Sequence, residues 1–222
     1  MKIPGLGGWS EDPLWAGVYD WTVEHPRLGG AAWAIAIQSD LRRLYDAVAE
    51  VGTLPAGSRV LDVPCGGGVA LRGLEVGQGV EYVAADISSS MLRRTTEAAR
   101  ERGVEDQVVP RVADVGDLPF DDASFDLVLS FTGLHCFPDP ARAVTEMMRV
   151  LKPGGVITGS AILNDTGIQH EPMRRGGRLA GLLGPGCDGI EIVQWLHGQG
   201  VTAPVLTRSG AMGYFRGVKT SG

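Results

Sequence analysis

The sequence has few cysteines, few lysines and no long apolar segment. Its three cysteines, Cys65, Cys136 and Cys187, lie far apart and form no C-x-x-C pair. A disulfide framework or a cysteine-rich zinc site is therefore not expected. The longest strongly apolar run near the N-terminus, 31–37, is seven residues long, whereas a spanning helix needs roughly 20. We expect neither a membrane span nor a metal site.

Positive charge is also scarce. The 222 residues include 20 Lys and Arg against 26 Asp and Glu, which gives a formal net charge of −6. Because no basic face is visible in the sequence, nucleic-acid binding through charge is disfavoured. The first five residues lack the apolar core of a signal peptide, so we expect a cytoplasmic protein.

Segments typical of strands and helices alternate along most of the chain. Apolar runs predict strands at 59–63, 80–85, 108–113, 125–131 and 156–161, and helical patterns occur at 31–51, 69–75, 90–102, 140–151 and 190–197. This alternation predicts an α/β fold with a doubly wound, mostly parallel sheet and helices on both faces. Two last apolar runs, 201–207 and 211–218, predict an antiparallel hairpin that completes a seven-stranded sheet.

The start of the chain differs from the rest in its aromatic content. Six of the nine Trp and Tyr residues lie in the first 45 positions: Trp9, Trp15, Tyr19, Trp21, Trp33 and Tyr45. They could form a lid over an apolar or planar ligand, or they could be the ordinary packing of N-terminal helices, which we favour. We divide the chain into a helical, aromatic cap, 1–45, and a main domain, 46–222, in which 162–190 is a candidate lid insertion.

A glycine-rich turn and two aspartates follow the first three predicted strands. The turn is Pro64-Cys65-Gly66-Gly67-Gly68, Asp86 ends the second strand 20 residues after Gly66, and Asp114 ends the third. Ligands of doubly wound sheets bind outside the carboxyl ends of the strands, where glycine permits close approach and an acid can accept ribose hydroxyls. The combination predicts a nucleoside-containing ligand. Taken singly, the turn could need glycine only for its geometry, and each aspartate could be a helix cap.

Four segments resemble, in order, the motifs of class I S-adenosylmethionine-dependent methyltransferases. They are VLDVPCGGG at 60–68, VAADIS at 83–88, ADVGDLPFDDASFDLVLSFTGLHCFPDP at 113–140 and VLKPGGVI at 150–157. The resemblance is closest to the small-molecule branch that includes the ubiquinone/menaquinone-type enzymes. It is strong over about 45–160, weaker over the terminal hairpin and absent over 1–40 and 162–190. It implies S-adenosylmethionine as cofactor and methyl transfer to an O, N or C atom of a small, apolar or aromatic acceptor.

The resemblance also implies roles for individual residues. The methionine part of the cofactor would be held by Asp62, Gly66 and Gly68, with Cys65 available for further contacts. Asp86 would bind the ribose, and Phe131 would lie beside the sulfonium. The adenine ring would contact Ile87 and Met91, and its amino group would contact Asp114 and Val115. One position departs from the family, because Pro64 stands where a glycine is usual. Proline has no N–H, so no cofactor contact is expected through that amide.

Several interpretations stay open at this point. His135, just after the fourth strand, could be a general base, although a structural histidine is favoured. The arginines at 174, 175 and 178 could meet an anionic acceptor, although a solvated turn is favoured. A non-catalytic protein that binds S-adenosylmethionine is one alternative function. An NAD(P)-dependent oxidoreductase is less favoured, because G-x-G-x-x-G would need glycine where Leu71 stands. The acceptor and the oligomeric state are not determined.

Overall fold

The computed structural model describes residues 28–220, and in that range one sheet contains all the named strands. The strands are β1 (Arg59–Asp62), β2 (Glu81–Asp86), β3 (Val108–Val112), β4 (Phe125–Phe131), β5 (Leu151–Ile162), β6 (Val205–Ser209) and β7 (Met212–Val218). Their order is β3-β2-β1-β4-β5-β7-β6. Neighbours among β1 to β5 pair in parallel, whereas β7 is antiparallel to both β5 and β6. The expected seven-stranded, mostly parallel sheet with a terminal hairpin is confirmed.

Helices cover both faces of this sheet. They are α1 (Leu28–Ile37), α2 (Arg42–Val48), α3 (Ser89–Arg102), α4 (Pro140–Val150), α5 (Glu171–Leu179) and α6 (Gly189–Gly198). One core cluster packs side chains of α1, α2 and α3 against the sheet. A second cluster packs α4 and α6 against the opposite face. Alternate residues of β1 therefore pack in different clusters: Val60 belongs to the first and Leu61 to the second.

The helix predicted over 31–51 is interrupted in the structure. α1 ends at Ile37, Gln38 takes a positive φ of 54°, and α2 begins at Arg42. The break coincides with a tertiary contact, because the Ala211 amide of the terminal hairpin donates to the Ile37 carbonyl at 2.8 Å. Gly210 lies so close to the carbonyls of Ile37 and Gln38 that any side chain there would collide with them. The end of α1 thus coincides with a contact to a segment about 170 positions later in the chain.

Two other expectations about local structure need correction. The segment predicted as a helix at 69–75 is a short 3-10 turn, Val69–Gly73. Gly73 packs directly against the Val48 carbonyl at the end of α2, and the chain turns extended at Leu74. The arginines at 174, 175 and 178, for which a solvated turn was favoured, lie in the helix α5.

Helix α4 shows how local sequence sets an element that carries part of the core. Its N-cap, Asp139, accepts a hydrogen bond from the Arg142 amide at 3.0 Å, and Pro140 occupies the first turn, where its missing N–H costs nothing. Val144, Met147 and other apolar side chains on one side of the helix are buried in the second cluster. The cap and the apolar face together position the helix that covers β4 and β5.

None of the helices in the described range combines the length and the apolar character that crossing a bilayer requires.

We predict that Asp139→Ala lowers the free energy of unfolding by about 1 kcal/mol, because the Arg142 amide loses its acceptor. For a protein of this size the melting temperature should fall by about 2–4 °C. Asp139→Asn is the control, since asparagine caps nearly as well. Thermal unfolding measures both variants, and equal melting temperatures for them would show that the side-chain cap contributes nothing.

Candidate active site at the carboxyl ends of the parallel strands

The strand register brings the sequence-predicted acids to one edge of the sheet. Asp62 of β1 pairs with Ala84 of β2, and Asp86 of β2 pairs with Val112 of β3. Because these strands are parallel, their carboxyl ends share that edge. Asp114 follows β3 by two residues and so lies at the same edge. The three aspartates predicted to bind one ligand therefore belong to one rim.

The glycine-rich turn after β1 leaves an open face at Gly66. Both Gly66 and Gly68 have positive φ, at 52° and 90°, which favours glycine. A Cβ at Gly68 would lie 3.0 Å from Leu71 and 3.3 Å from the Thr95 backbone, so Gly68 lets α3 approach the turn. A Cβ at Gly66 would meet nothing within 4 Å. The turn thus offers a cradle in front of Gly66 for a group that approaches backbone closely.

Asp86 connects this turn to the second strand. Its Oδ2 accepts a hydrogen bond from the Gly66 amide at 3.1 Å, and its Oδ1 accepts one from the Ser88 amide at 2.8 Å. The side chain is 6% exposed, and burial raises the pKa of Asp86, although these amides oppose the rise. Asp86 therefore holds the loop shape, and each oxygen keeps a lone pair for a hydroxyl donor.

Asp62 lies deeper than Asp86 and has a different partner. It is 1% exposed, and its Oδ2 accepts a hydrogen bond from the Tyr82 hydroxyl at 2.7 Å. Burial raises the pKa of Asp62 to about 7, because the interior disfavours its charged form, and the nearby charge of Asp86 adds to the rise. The Tyr82 hydrogen bond acts in the opposite direction.

Cys65 is a buried thiol of the turn. Burial raises its pKa well above the usual range, and the Asp62 and Asp86 charges raise it further. The thiol therefore stays protonated at neutral pH. Thr95 of α3 supports the turn from behind: its hydroxyl donates to the Gly66 carbonyl at 2.7 Å and lies 3.4 Å from the Cys65 sulfur.

The outer part of the rim contains the residues expected to contact adenine. Ile87 is 69% exposed, which leaves its side chain available, whereas Met91 and Val115 are buried. Asp114 is exposed, and its Oδ1 accepts a hydrogen bond from the Gly116 amide at 2.8 Å. These side chains are in place at the rim, and their contacts with adenine stay predictions.

The fourth strand supplies the remaining predicted site residues. Phe131 ends β4 and is buried in the first core cluster. His135, in the following loop, is 5% exposed, and its Nδ1 accepts a hydrogen bond from the Ile162 amide at 3.0 Å. Burial lowers the pKa of His135 to about 4, so the ring is neutral at neutral pH. The hydrogen bond fits the structural role that the sequence favoured.

The segment after β5 packs onto the loop that contains His135. The Gly184 amide donates to the His135 carbonyl at 2.8 Å. Arg174, expected from the sequence to be solvated, is 4% exposed and donates to the Leu163 and Gly167 carbonyls at 3.2 and 3.1 Å. That expectation was wrong for Arg174, because its guanidinium also pairs with the Glu171 carboxylate at 3.1 Å and is satisfied by these partners without water.

Sequence reasoning missed two residues of the site, Tyr82 and Thr95. Tyr82 is the one aromatic residue of β2 and lies four residues before Asp86, so strand alternation alone could have placed both on one face. Thr95 had no comparable signal, since its role depends on how α3 docks. Among residues 28–220, no group of three or more acidic, histidine or cysteine side chains could hold a metal ion.

Comparisons with known proteins agree with this arrangement. Residues 61–158 match a family model described as a methyltransferase domain. The chain is 37% identical over 113 residues to a 27-O-demethylrifamycin SV methyltransferase of Amycolatopsis mediterranei, covering 51% of this chain and 42% of that protein. It is 45% identical over 103 residues to a demethylmenaquinone methyltransferase of Clavibacter sepedonicus, covering 46% and 40%. The chain thus spans less than half the length of these curated relatives.

Solved structures extend the likeness beyond the matched segment. A Haemonchus contortus phosphoethanolamine N-methyltransferase, solved with S-adenosylhomocysteine, has a TM-score of 0.72 at 16% identity, covering 93% of this chain and 57% of that one. The [4+2]-cyclase SpnF has a TM-score of 0.67 at 22% identity, covering 82% of each chain. At these identities the structures show the fold alone.

Motif order, sheet topology and the matched segment agree with one another: residues 61–158 of this chain are similar to methyltransferase domains.

Proposed function

We propose that this chain binds S-adenosylmethionine and transfers its methyl group to a small, apolar or aromatic molecule. The observation that carries the proposal is the contact between Asp86 and the glycine turn, at 3.1 Å, on the rim where parallel strands end. This rim lies within the segment that matches the methyltransferase family model. The two curated relatives named above are methyltransferases of a rifamycin and of a demethylmenaquinone, which supports a small-molecule acceptor.

The residues at the rim fit the charged and polar parts of such a cofactor. The open face at Gly66 admits a group close to backbone. Asp62 has a carboxylate oxygen not used by Tyr82, and this oxygen can accept an ammonium group. Asp86 can accept ribose hydroxyls, with Ile87 beside the adenine. When bound, the cofactor supplies a methyl group already activated by its sulfonium.

The protein's own task is then alignment and exclusion of water. We propose that Phe131 lies beside the sulfonium and that the segment 162–190 covers the acceptor. Holding the acceptor atom behind the methyl group lowers the barrier by orientation. His135 is not well suited to act as a base, because its Nδ1 is occupied by the Ile162 amide and its pKa is low. The general-base role that the sequence left open for His135 stays a prediction, and these two observations do not favour it.

The aromatic cap remains a proposal for the acceptor side. Trp9, Trp15, Tyr19 and Trp21 lie outside the described residues. Trp33 is 7% exposed and belongs to the first core cluster, and Tyr45 has the Arg72 guanidinium 5.0 Å above its ring. These two therefore pack within the domain, as the favoured packing interpretation expected. Cytoplasmic location and the absence of nucleic-acid binding also stay predictions.

We predict that S-adenosylmethionine or S-adenosylhomocysteine raises the melting temperature of the protein. At a ligand concentration of 100 times Kd the stabilisation is about 2.7 kcal/mol, because the ligand binds only the folded state. Differential scanning fluorimetry measures the shift, with NAD as the control ligand. A shift with NAD and none with either sulfur compound would contradict the cofactor assignment.

We predict that Asp86→Ala weakens S-adenosylhomocysteine binding at least about tenfold, since charge-assisted hydrogen bonds to ribose are worth about 1.5–3 kcal/mol. The melting temperature should also fall, because the Gly66 and Ser88 amides lose their acceptor. Asp117→Ala, at an exposed aspartate near the same rim, is the control and should bind normally. Calorimetric affinity for Asp86→Ala equal to that of Asp117→Ala would refute the ribose role.

We predict that His135 makes the fold acid-sensitive. The native pKa is about 4 against an ordinary value of 6.5, so the unfolded state binds the proton first as the pH falls. Stability is then lost from pH 6.5 down towards 4, by about 3 kcal/mol in full. His135→Asn keeps an acceptor for Ile162 and cannot titrate. Chemical denaturation at pH 4.5 and 7.5 should show a smaller acid loss in the variant than in the wild type, and equal losses would disprove the assignment.

A further inference from the structure

We propose that Tyr82 is a positioning residue that orients the Asp62 carboxylate for the ammonium group of the ligand, and that binding there releases the proton that Asp62 carries. The inference rests on the proposed function and deepens it. It assigns a role to Tyr82, which the motif resemblance left without one. It also predicts that the affinity for the ligand depends on pH. This dependence arises from a titrating group in the binding site and not from the methyl-transfer step.

The geometry of the pair supports a positioning role. Tyr82 is fully buried, and its hydroxyl donates to Asp62 Oδ2 at 2.7 Å. Tyr82 pairs in register with Val60, and Asp62 pairs with Ala84. The tyrosine therefore lies on the same face of the sheet as Asp62, at the register position two residues before it. Its side chain therefore reaches forward along the strands to the end of β1. A rigid aromatic ring holds the hydroxyl there at little cost in conformational freedom.

The hydrogen bond from Tyr82 occupies one carboxylate oxygen of Asp62 and leaves the other oxygen available for a ligand. Among the described residues, Tyr82 is the hydrogen-bond partner of Asp62, through Oδ2. Asp86 differs, because both of its oxygens already accept backbone amides. Asp62 lies two residues before the glycine turn, which has its open face at Gly66. Of the two buried acids, Asp62 is thus the one with an oxygen still to be paired, and a cationic donor suits it best.

The groups that face Asp62 make it the residue that titrates near neutral pH. Tyr82 and Cys65 both have pKa values raised well above their usual ranges by burial and by the Asp62 charge, so they stay neutral. Asp86 contributes negative charge, and no described lysine or arginine is among the groups that shift the pKa of Asp62. That pKa is about 7, with the Tyr82 hydrogen bond holding it down.

The proton balance of binding follows from this arrangement. The free protein carries a proton on Asp62 below about pH 7. An amino-acid ammonium group that pairs with Asp62 favours the carboxylate, so the proton leaves to the buffer while no covalent bond forms or breaks. Affinity should rise with pH up to about 7 and then level off. Below that pH each unit should cost nearly tenfold in affinity.

The experiment is calorimetric titration of the full chain with S-adenosylhomocysteine, from pH 5.5 to 8.5, in pairs of buffers with different ionisation enthalpies. For the wild type we expect nearly one proton released per ligand at pH 6 and almost none at pH 8.5. Tyr82→Phe keeps the ring but removes the hydroxyl, so the pKa of Asp62 should rise by about one unit. Its affinity should fall about five- to tenfold at pH 6–7 and less than about twofold at pH 8.5.

Two further variants separate the role of the hydroxyl from general effects. Tyr214→Phe is the matched control, since Tyr214 is also a buried tyrosine in the sheet but contacts Ser39 at 3.4 Å. It should bind as the wild type does at every pH. Asp62→Asn cannot titrate, so its binding should be weak and free of proton release although Asp86 is intact. Melting temperatures confirm that each variant is folded.

Three outcomes would overturn the inference. They are wild-type binding without proton release, a loss in Tyr82→Phe that is the same at pH 6.5 and 8.5, and proton release that persists in Asp62→Asn. If Tyr82→Phe does not fold, the wild type and Asp62→Asn still decide the question. Failure of the wild type to bind the ligand at any pH would instead refute the proposed function itself.

Discussion

The hydrogen bond between the Gly66 amide and the Asp86 carboxylate joins the first two parallel strands at the edge where the ligand is expected. Without it the partly buried Gly66 amide would lose its acceptor, and Asp86 would be a buried acid held by fewer donors. The turn can take its shape because Gly66 and Gly68 tolerate positive φ. The junction thus places the open face at Gly66 beside the acid that ends β2.

Burial of ionisable groups gives the site its electrostatic character. Asp62 is an acid whose pKa rises to about 7, and His135 is a base whose pKa falls to about 4. Both shifts favour the neutral form, because the interior penalises charge. The two groups have opposite effects on stability as the pH falls. Protonation of Asp62 stabilises the native state relative to the unfolded state, whereas protonation of His135 destabilises it. A cationic ligand group would change this balance at Asp62 alone.

The two ends of the described chain meet beside the site. The Ala211 amide of the terminal hairpin donates to Ile37 at the end of α1, and β7 of the same hairpin pairs with β5. The segment between β5 and the hairpin also packs on the loop that contains His135. The fold thus brings the end of α1, the terminal hairpin and the segment after β5 to the carboxyl edge of the parallel strands.

Local patterns in the sequence predict the parallel strands and the rim acids. Alternating apolar runs and glycine signals depend on neighbours in the chain, so β1 to β5 and the Asp139 cap could be predicted from them. The break after α1, the burial of Arg174 and the contact between Tyr82 and Asp62 appear only in the folded chain. Each of these depends on atoms brought close by packing from distant positions. Burial and hydrogen bonding between such positions set conformation and pKa, and no local pattern records them.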